Sequence, residues 1–234
     1  PGMQVEIDRI IEAVKAGEIS QAELDRNVRN MLEYIVRTPR FNGYKYSDKP
    51  DLKAHAELVR EAAPEGMVLL ENNGVLPLKD VKKVALYGTG SYDFIAGGTG
   101  SGNVNKPYIR NVAEGLADNG FEVNQDIQKW YEQYIAYAKT DNKNNGGLSG
   151  VLLGEAVIPE MAVSRDFFER MEPETDIAIF TLSRNAGEGG DRKDGQGDFR
   201  LNAVEVANLQ NICDAYHKSG KKVIVVLNIG GVIE

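Results

Sequence analysis

One cysteine, two histidines and one tryptophan are spread over 234 residues, and each scarcity closes a class of function. Cys213 has no partner for an internal disulfide, and it falls beside Ile212 in a helical pattern, so a buried core thiol is expected rather than a reactive one. So few histidines and cysteines make no metal-ligand cluster, and neither metal nor cofactor is expected. Clustered Lys and Arg are missing, and with a formal net charge of −8 the counterion release that drives nucleic-acid binding is excluded. No uninterrupted apolar run approaches the roughly 20 residues of a membrane helix, so no membrane partner is expected.

What is present is enough to build a core. Apolar residues make up 42% of the chain, and the length suits one large domain or two smaller ones. Residue 1 is Pro rather than Met, and the chain stops just past an apolar strand with no covering helix after it, so a segment of a longer protein is expected. Absence of a signal peptide is then uninformative, and a cytoplasmic location is the working expectation.

Ile7, Ile10, Ile11 and Val14 recur at helical spacing up to Gly17. Ser20 and Glu23 have capping-box spacing, and Leu24, Val28, Met31, Leu32 and Ile35 form a second stripe; both helices need a partner to pack on. Residues 39–50, with two prolines and three aromatics, read as an ordered linker. A helix is expected through Ala54, Leu58 and Ala62, resuming through Met67, Val68, Leu69 and Leu70 after a break at Pro64. Asn73-Gly74 marks a turn, and Val84 to Tyr87 is an apolar strand of the kind that parallel sheets bury.

Two glycine clusters follow. Gly88-Thr89-Gly90-Ser91 imitates the start of a dinucleotide fingerprint, but Asp93 stands at the third glycine position, where a carboxylate repels a pyrophosphate. Gly97-Gly98-Thr99-Gly100-Ser101-Gly102 suits backbone turning and close ligand approach, with a plain flexible loop as the bland alternative. Further on, a helix from Arg110 to Asn119, a short strand near Val123 and a helix from Ile127 to Ala138 are expected. The aromatics Trp130, Tyr131, Tyr134 and Tyr137 of that last helix are better explained by core packing than by a sugar platform. Thr140 to Pro159 reads as a long mobile excursion, and a helix from Ser164 leads to the strand Asp176 to Leu182.

That strand, a helix carrying Val206, Leu209, Ile212 and Tyr216, and the strand Lys222 to Asn228 make a β-α-β crossover, hence a parallel sheet. Open α/β sheets place their chemistry on loops at the carboxyl ends of strands, and both Ser101 and Glu188 lie on such loops. Glu188 is framed by glycines that let a carboxylate project into a cleft. Chemistry alone leaves two readings open: a catalytic carboxylate, or a loop pinned by an ion pair of Arg192 with Asp191 or Glu188.

The motifs Gly187-Glu188-Gly189-Gly190-Asp191-Arg192, Gly197-Asp198-Phe199, Glu65 to Asn72 with Leu76-Pro77-Leu78, the second glycine cluster and Val225 to Gly230 together resemble glycoside hydrolase family 3, in its bacterial β-glucosidase branch. The resemblance implies an α/β fold in which residues 1–38 close a (β/α)8 barrel, 39–50 link the domains and 51–234 form an incomplete parallel-sheet α/β sandwich. It implies that Glu188 is the general acid/base, that Ser101 reaches the sugar in the glycone subsite, and that the nucleophile is a barrel aspartate outside this chain. The implied substrates are small β-glucosides or oligosaccharides, with β-xylosides next; the implied partners are the barrel domain and a second copy in a homodimer. A noncatalytic α/β module binding a nucleotide at Gly88 to Ser91 is the alternative from another class.

Overall fold

The computed structural model of the chain describes residues 2–145, 157–187 and 192–234, and for 141–145 the backbone alone. Contacts divide it into two units, Pro1–Leu69 and Leu70–Glu234. The first holds three helices, α1 (Gln4–Lys15), α2 (Gln21–Arg37) and α3 (Leu52–Ala62). Ser20 caps α2 reciprocally with Glu23, as its spacing predicts. None of the residues in these three helices is buried, and the apolar stripe of Val28, Met31, Leu32 and Ile35 on α2 is exposed. After Ala62 the chain tightens into a 3-10 turn at Ala63–Gly66 with Pro64 in its first positions. Met67 to Leu70 are not helical, so the expected resumption of the helix does not occur. Proline ends the helix rather than kinking it, because the missing N–H and the ring clash are tolerated only at a helix start.

The second unit is built on a four-stranded parallel sheet of order β2-β1-β3-β4, formed by β1 (Lys83–Tyr87), β2 (Glu122–Val123), β3 (Ile177–Arg184) and β4 (Val223–Ile229). Strands β1 and β3 are apolar on both faces because both faces are covered. Val84 and Leu86 of β1, with Ile177 and Ile179 of β3, pack on one side with Val123 and with Ala113 of α4 (Val112–Asp118). Ala85 and Tyr87, with Ala178, Phe180 and Leu182, pack on the other. That second layer is made by α5 (Gln125–Asn145), α6 (Arg165–Met171) and α7 (Ala203–Lys218), through residues including Ile127, Tyr131, Phe168, Ile212 and Tyr216.

Helix boundaries follow local signals. Asn111 and Asn202 cap α4 and α7 with Glu114 and Glu205 as reciprocal partners, and Gly120 and Gly220 take positive φ just beyond the two helices. Helix α5 continues to Asn145, well past Ala138, and so takes up the start of the expected excursion; residues 146–156 of that stretch lie outside the described residues. Its aromatics do not act as one stripe. Tyr131 is fully buried, Trp130 is partly buried against Phe167, and Tyr137 is 71% exposed. Cys213 is half-buried rather than enclosed, and partial burial raises its thiol pKa.

Phe168 sits edge-on to Tyr87, with ring centroids 5.0 Å apart, and has no exposed surface. Its substitution tests which aromatics hold the sheet covered. Phe168→Ala is expected to lower the unfolding free energy by about 3–5 kcal/mol through lost burial and a cavity. Tyr137→Ala, on the exposed side of α5, is expected to stay within about 0.5 kcal/mol, as urea titration of both variants will show.

Candidate active site

Strands β1 and β3 are adjacent, parallel and in register at Tyr87 and Phe180, so the loops that leave them emerge at one edge of the sheet. Strand β2 lies on the far side of β1 and β4 on the far side of β3, which makes the β1–β3 boundary a topological switch point. A crevice of about 380 Å³ opens there, and its walls include Thr89, Asp93, Gly98, Lys106, Ser183 and Asn185.

The second glycine cluster crosses to the loop after β3. The Thr99 amide donates to the Ala186 carbonyl at 3.0 Å, and Thr99 and Gly187 form an isolated parallel bridge. This contact gives two glycines a reason other than the backbone turning, ligand approach and carboxylate projection expected from sequence. A Cβ on Gly98 would stand 2.5 Å from the Ala186 oxygen, and one on Gly187 2.5 Å from the Thr99 nitrogen. The glycines are needed because two backbones touch. Ser101 lies in the turn Gly100–Gly102, two residues beyond the bridge, and is exposed. Glu188 follows Gly187 in the sequence; it and residues 189–191 lie outside the described residues.

Both flanks of that loop are held by a chain of charges. Arg184, the last residue of β3, is buried and bidentate to Glu205 at 2.7 Å for each bond, while its Nε donates to the Asp198 carbonyl at 2.9 Å. Asp198 accepts from Arg192 Nη1 at 2.7 Å and from the Lys193 amide at 2.9 Å. Those two hydrogen bonds, that from Arg192 first, hold the Asp198 carboxyl below its ordinary pKa. Arg192 Nη2 donates to the Asn185 carbonyl at 2.7 Å and also to the Gly230 carbonyl. Among the described residues Arg192 pairs with Asp198, while the partners expected from sequence, Asp191 and Glu188, lie outside the described residues. Exposure of 19% for Arg192 and 34% for Asp198 limits that pair to about 1 kcal/mol or less, so its value lies in geometry. Asn228 ties the other loop to β4, accepting from the Ile95 amide at 2.8 Å and donating to the Ile95 carbonyl at 3.1 Å.

Most amides of the first glycine cluster and of the turn after it are already engaged. The Thr89 amide donates to Glu160, the Ser91 amide to the Gly88 carbonyl, and the Tyr92 and Asp93 amides to Thr89. Asp93 itself is paired with Lys139. Glu160 is the residue sequence reasoning missed. Its carboxylate accepts from the Thr89 amide at 2.8 Å and Tyr131 Oη at 3.0 Å, with longer contacts from Thr89 Oγ1 and Asn208 Nδ2, and among the described residues no cation pairs with it. Burial raises its pKa from 4.5 to about 7, outweighing donors that favour the charged form.

The folded chain therefore binds this proton more tightly than the unfolded one. Below pH 4.5 the group is protonated in both states and contributes nothing to the pH dependence. As pH rises towards 7 the unfolded state ionises first, stability falls, and the loss levels off above the folded pKa at up to about 3 kcal/mol. Glu160→Gln is expected to flatten that decline in denaturation midpoints measured across this pH range.

The model of the glycosyl hydrolase family 3 C-terminal domain matches residues 67–234. Beta-glucosidase A of Butyrivibrio fibrisolvens is 33% identical over 205 residues, which is 77% of this chain and 23% of that protein. A beta-glucosidase of Ruminococcus albus is 32% identical over 188 residues, 80% of this chain and 19% of its own length. The structure of beta-glucosidase 3B from Thermotoga neapolitana in complex with α-D-glucose superposes with a TM-score of 0.88 at 38% identity, over the whole of this chain and 32% of that one. The chain thus spans a third or less of the proteins it matches. With more than half its length matched by that domain and its fold shared with a solved relative, this chain belongs to glycosyl hydrolase family 3.

Proposed function

We propose that this chain supplies the acid/base part of a retaining β-glucosidase that hydrolyses terminal β-D-glucosyl residues. The observation that carries this reading is the Thr99–Gly187 bridge, which joins the loop bearing Ser101 to the loop entering Glu188 at the carboxyl end of the sheet. The names of the relatives support the sugar: they are beta-glucosidases, and the Thermotoga neapolitana enzyme was solved with α-D-glucose. In this reading residues 1–38 complete a barrel, 39–50 link it to the sandwich at 51–234, and the exposed stripes of α1 and α2 face the rest of that barrel. The barrel contributes the aspartate nucleophile.

An aspartate carboxylate attacks the anomeric carbon as the bond to the glycosidic oxygen breaks and Glu188 gives that oxygen its proton. Glu188, now ionised, takes a proton from water, whose oxygen attacks the same carbon and displaces the aspartate. Retention requires the two carboxyl groups about 5–5.5 Å apart, so the acid must come from a loop held firmly at the domain edge. Ser101 hydrogen-bonds a hydroxyl of the bound glucosyl ring. The competing nucleotide-binding reading is disfavoured, because the Thr89, Ser91, Tyr92 and Asp93 amides of its loop and turn are already paired within the protein.

In the full-length enzyme, Glu188→Ala should keep near-normal glycosylation by substrates with good leaving groups and stall on poor ones. Azide should restore its turnover by replacing the activated water. Normal rates on an alkyl β-glucoside would remove Glu188 from the mechanism. Ser101→Ala should weaken inhibition by glucose by about 1–3 kcal/mol, read as the change in its inhibition constant.

A further inference from the structure

The guanidinium of Arg192 is bound to three separate parts of the fold. Nη2 reaches the Asn185 carbonyl, seven residues back along the chain, and the Gly230 carbonyl just beyond β4. Nη1 reaches Asp198 at 2.7 Å. Asp198 in turn accepts the Arg184 Nε at its carbonyl, and Arg184 is fixed by the buried Glu205. The Arg192 Nε is itself buried without a hydrogen-bond partner among the described residues. A side chain serving stability alone gains little from such an arrangement, since the ion pair is partly solvated and, among the described residues, one donor has no acceptor.

We propose that Arg192 is a positioning residue for the acid/base step: it draws Asn185 and Arg192, the two ends of the Glu188 loop, together and fixes them to the end of β4. The inference rests on the assignment of Glu188 above. Three features favour it. The donors run in two directions from one planar group, a geometry that Lys cannot reproduce. The loop's incoming flank is also held by Thr99 at Ala186, and Arg192 supplies a second fixed point on the same segment. The third anchor, Gly230, lies against the same flank: a Cβ there would stand 2.5 Å from Ala186 Cβ. Asn185, Ala186 and Gly230 thus meet at one place, and Arg192 closes it.

The test compares Arg192→Ala, Arg192→Lys and Glu188→Ala in the full-length enzyme on two substrates. Loss of positioning should reduce kcat/KM about 10²-fold for an alkyl β-glucoside, whose departure needs the proton. For 2,4-dinitrophenyl β-glucoside, whose leaving group departs unprotonated, the reduction should stay below about threefold. Arg192→Lys keeps the charge opposite Asp198 but not the fork, and should show the same selectivity at smaller size. Amide hydrogen exchange should in addition show lower protection of Thr99 in Arg192→Ala, because its acceptor at Ala186 is loosened. Equal losses on both substrates, or none, would overturn the proposal. If Arg192→Ala does not fold, Arg192→Lys decides alone, and failure of both to fold assigns Arg192 to stability and overturns it as well. If Glu188→Ala itself lacks leaving-group selectivity, the acid/base assignment falls; if only the Arg192 variants lack it, the positioning role falls alone.

Discussion

The pairing of β1 with β3, parallel and buried on both faces, is the constraint from which the rest of the second unit follows. Parallel strands cannot be joined by tight turns, so the chain returns through helices, and those helices cover the faces. Burial on both faces explains the continuous apolar runs at Val84–Tyr87 and Ile177–Leu182. It also sends both following loops out of the same edge, which is why two motifs some ninety residues apart in sequence meet in space.

Holding those loops is a matter of direction more than of energy. The Arg184–Glu205 pair is desolvated, and breaking one partner of such a pair costs about 3–5 kcal/mol, while replacing both by apolar groups is often neutral. What the pair contributes is a fixed end to β3. Asp198 carries that position outward to Arg192, and Asn228 does the equivalent for the opposite loop at Ile95. The chain of charges ends on the backbone, at the Asp198, Asn185 and Gly230 carbonyls and at the Ile95 amide and carbonyl, so the path of the main chain is what is specified.

Much of this was legible before any coordinates. Apolar runs marked three of the four strands, and Ser20 with Glu23, Gly120 and Gly220 marked helix ends that the structure confirms. The same capping signal, Asn followed three residues later by Glu, stands at Asn202 and Glu205 and went unread, although it would have placed the start of α7. Other features left no local trace. Glu160 draws its meaning from Thr89, Tyr131 and Asn208, each at least 29 residues away, and in sequence it is a lone acid between Val157-Ile158-Pro159 and Met161-Ala162-Val163 with no local partner to mark it. Met67 to Leu70 looked helical because apolar composition does not separate a helix from an extended segment over four residues. The glycines at 98 and 187 were visible, but the reason for them was not, since each is required by the backbone of the other loop.

The contact between Thr99 and Gly187 has a consequence for how this site changes over time and under engineering. Because main chain meets main chain there with no room for a Cβ on Gly98 or Gly187, the two loops fit only as a pair. Grafting one loop alone from a relative would leave its counterpart facing a backbone of different shape. The two segments form a single structural cassette, exchangeable as a pair and not one at a time.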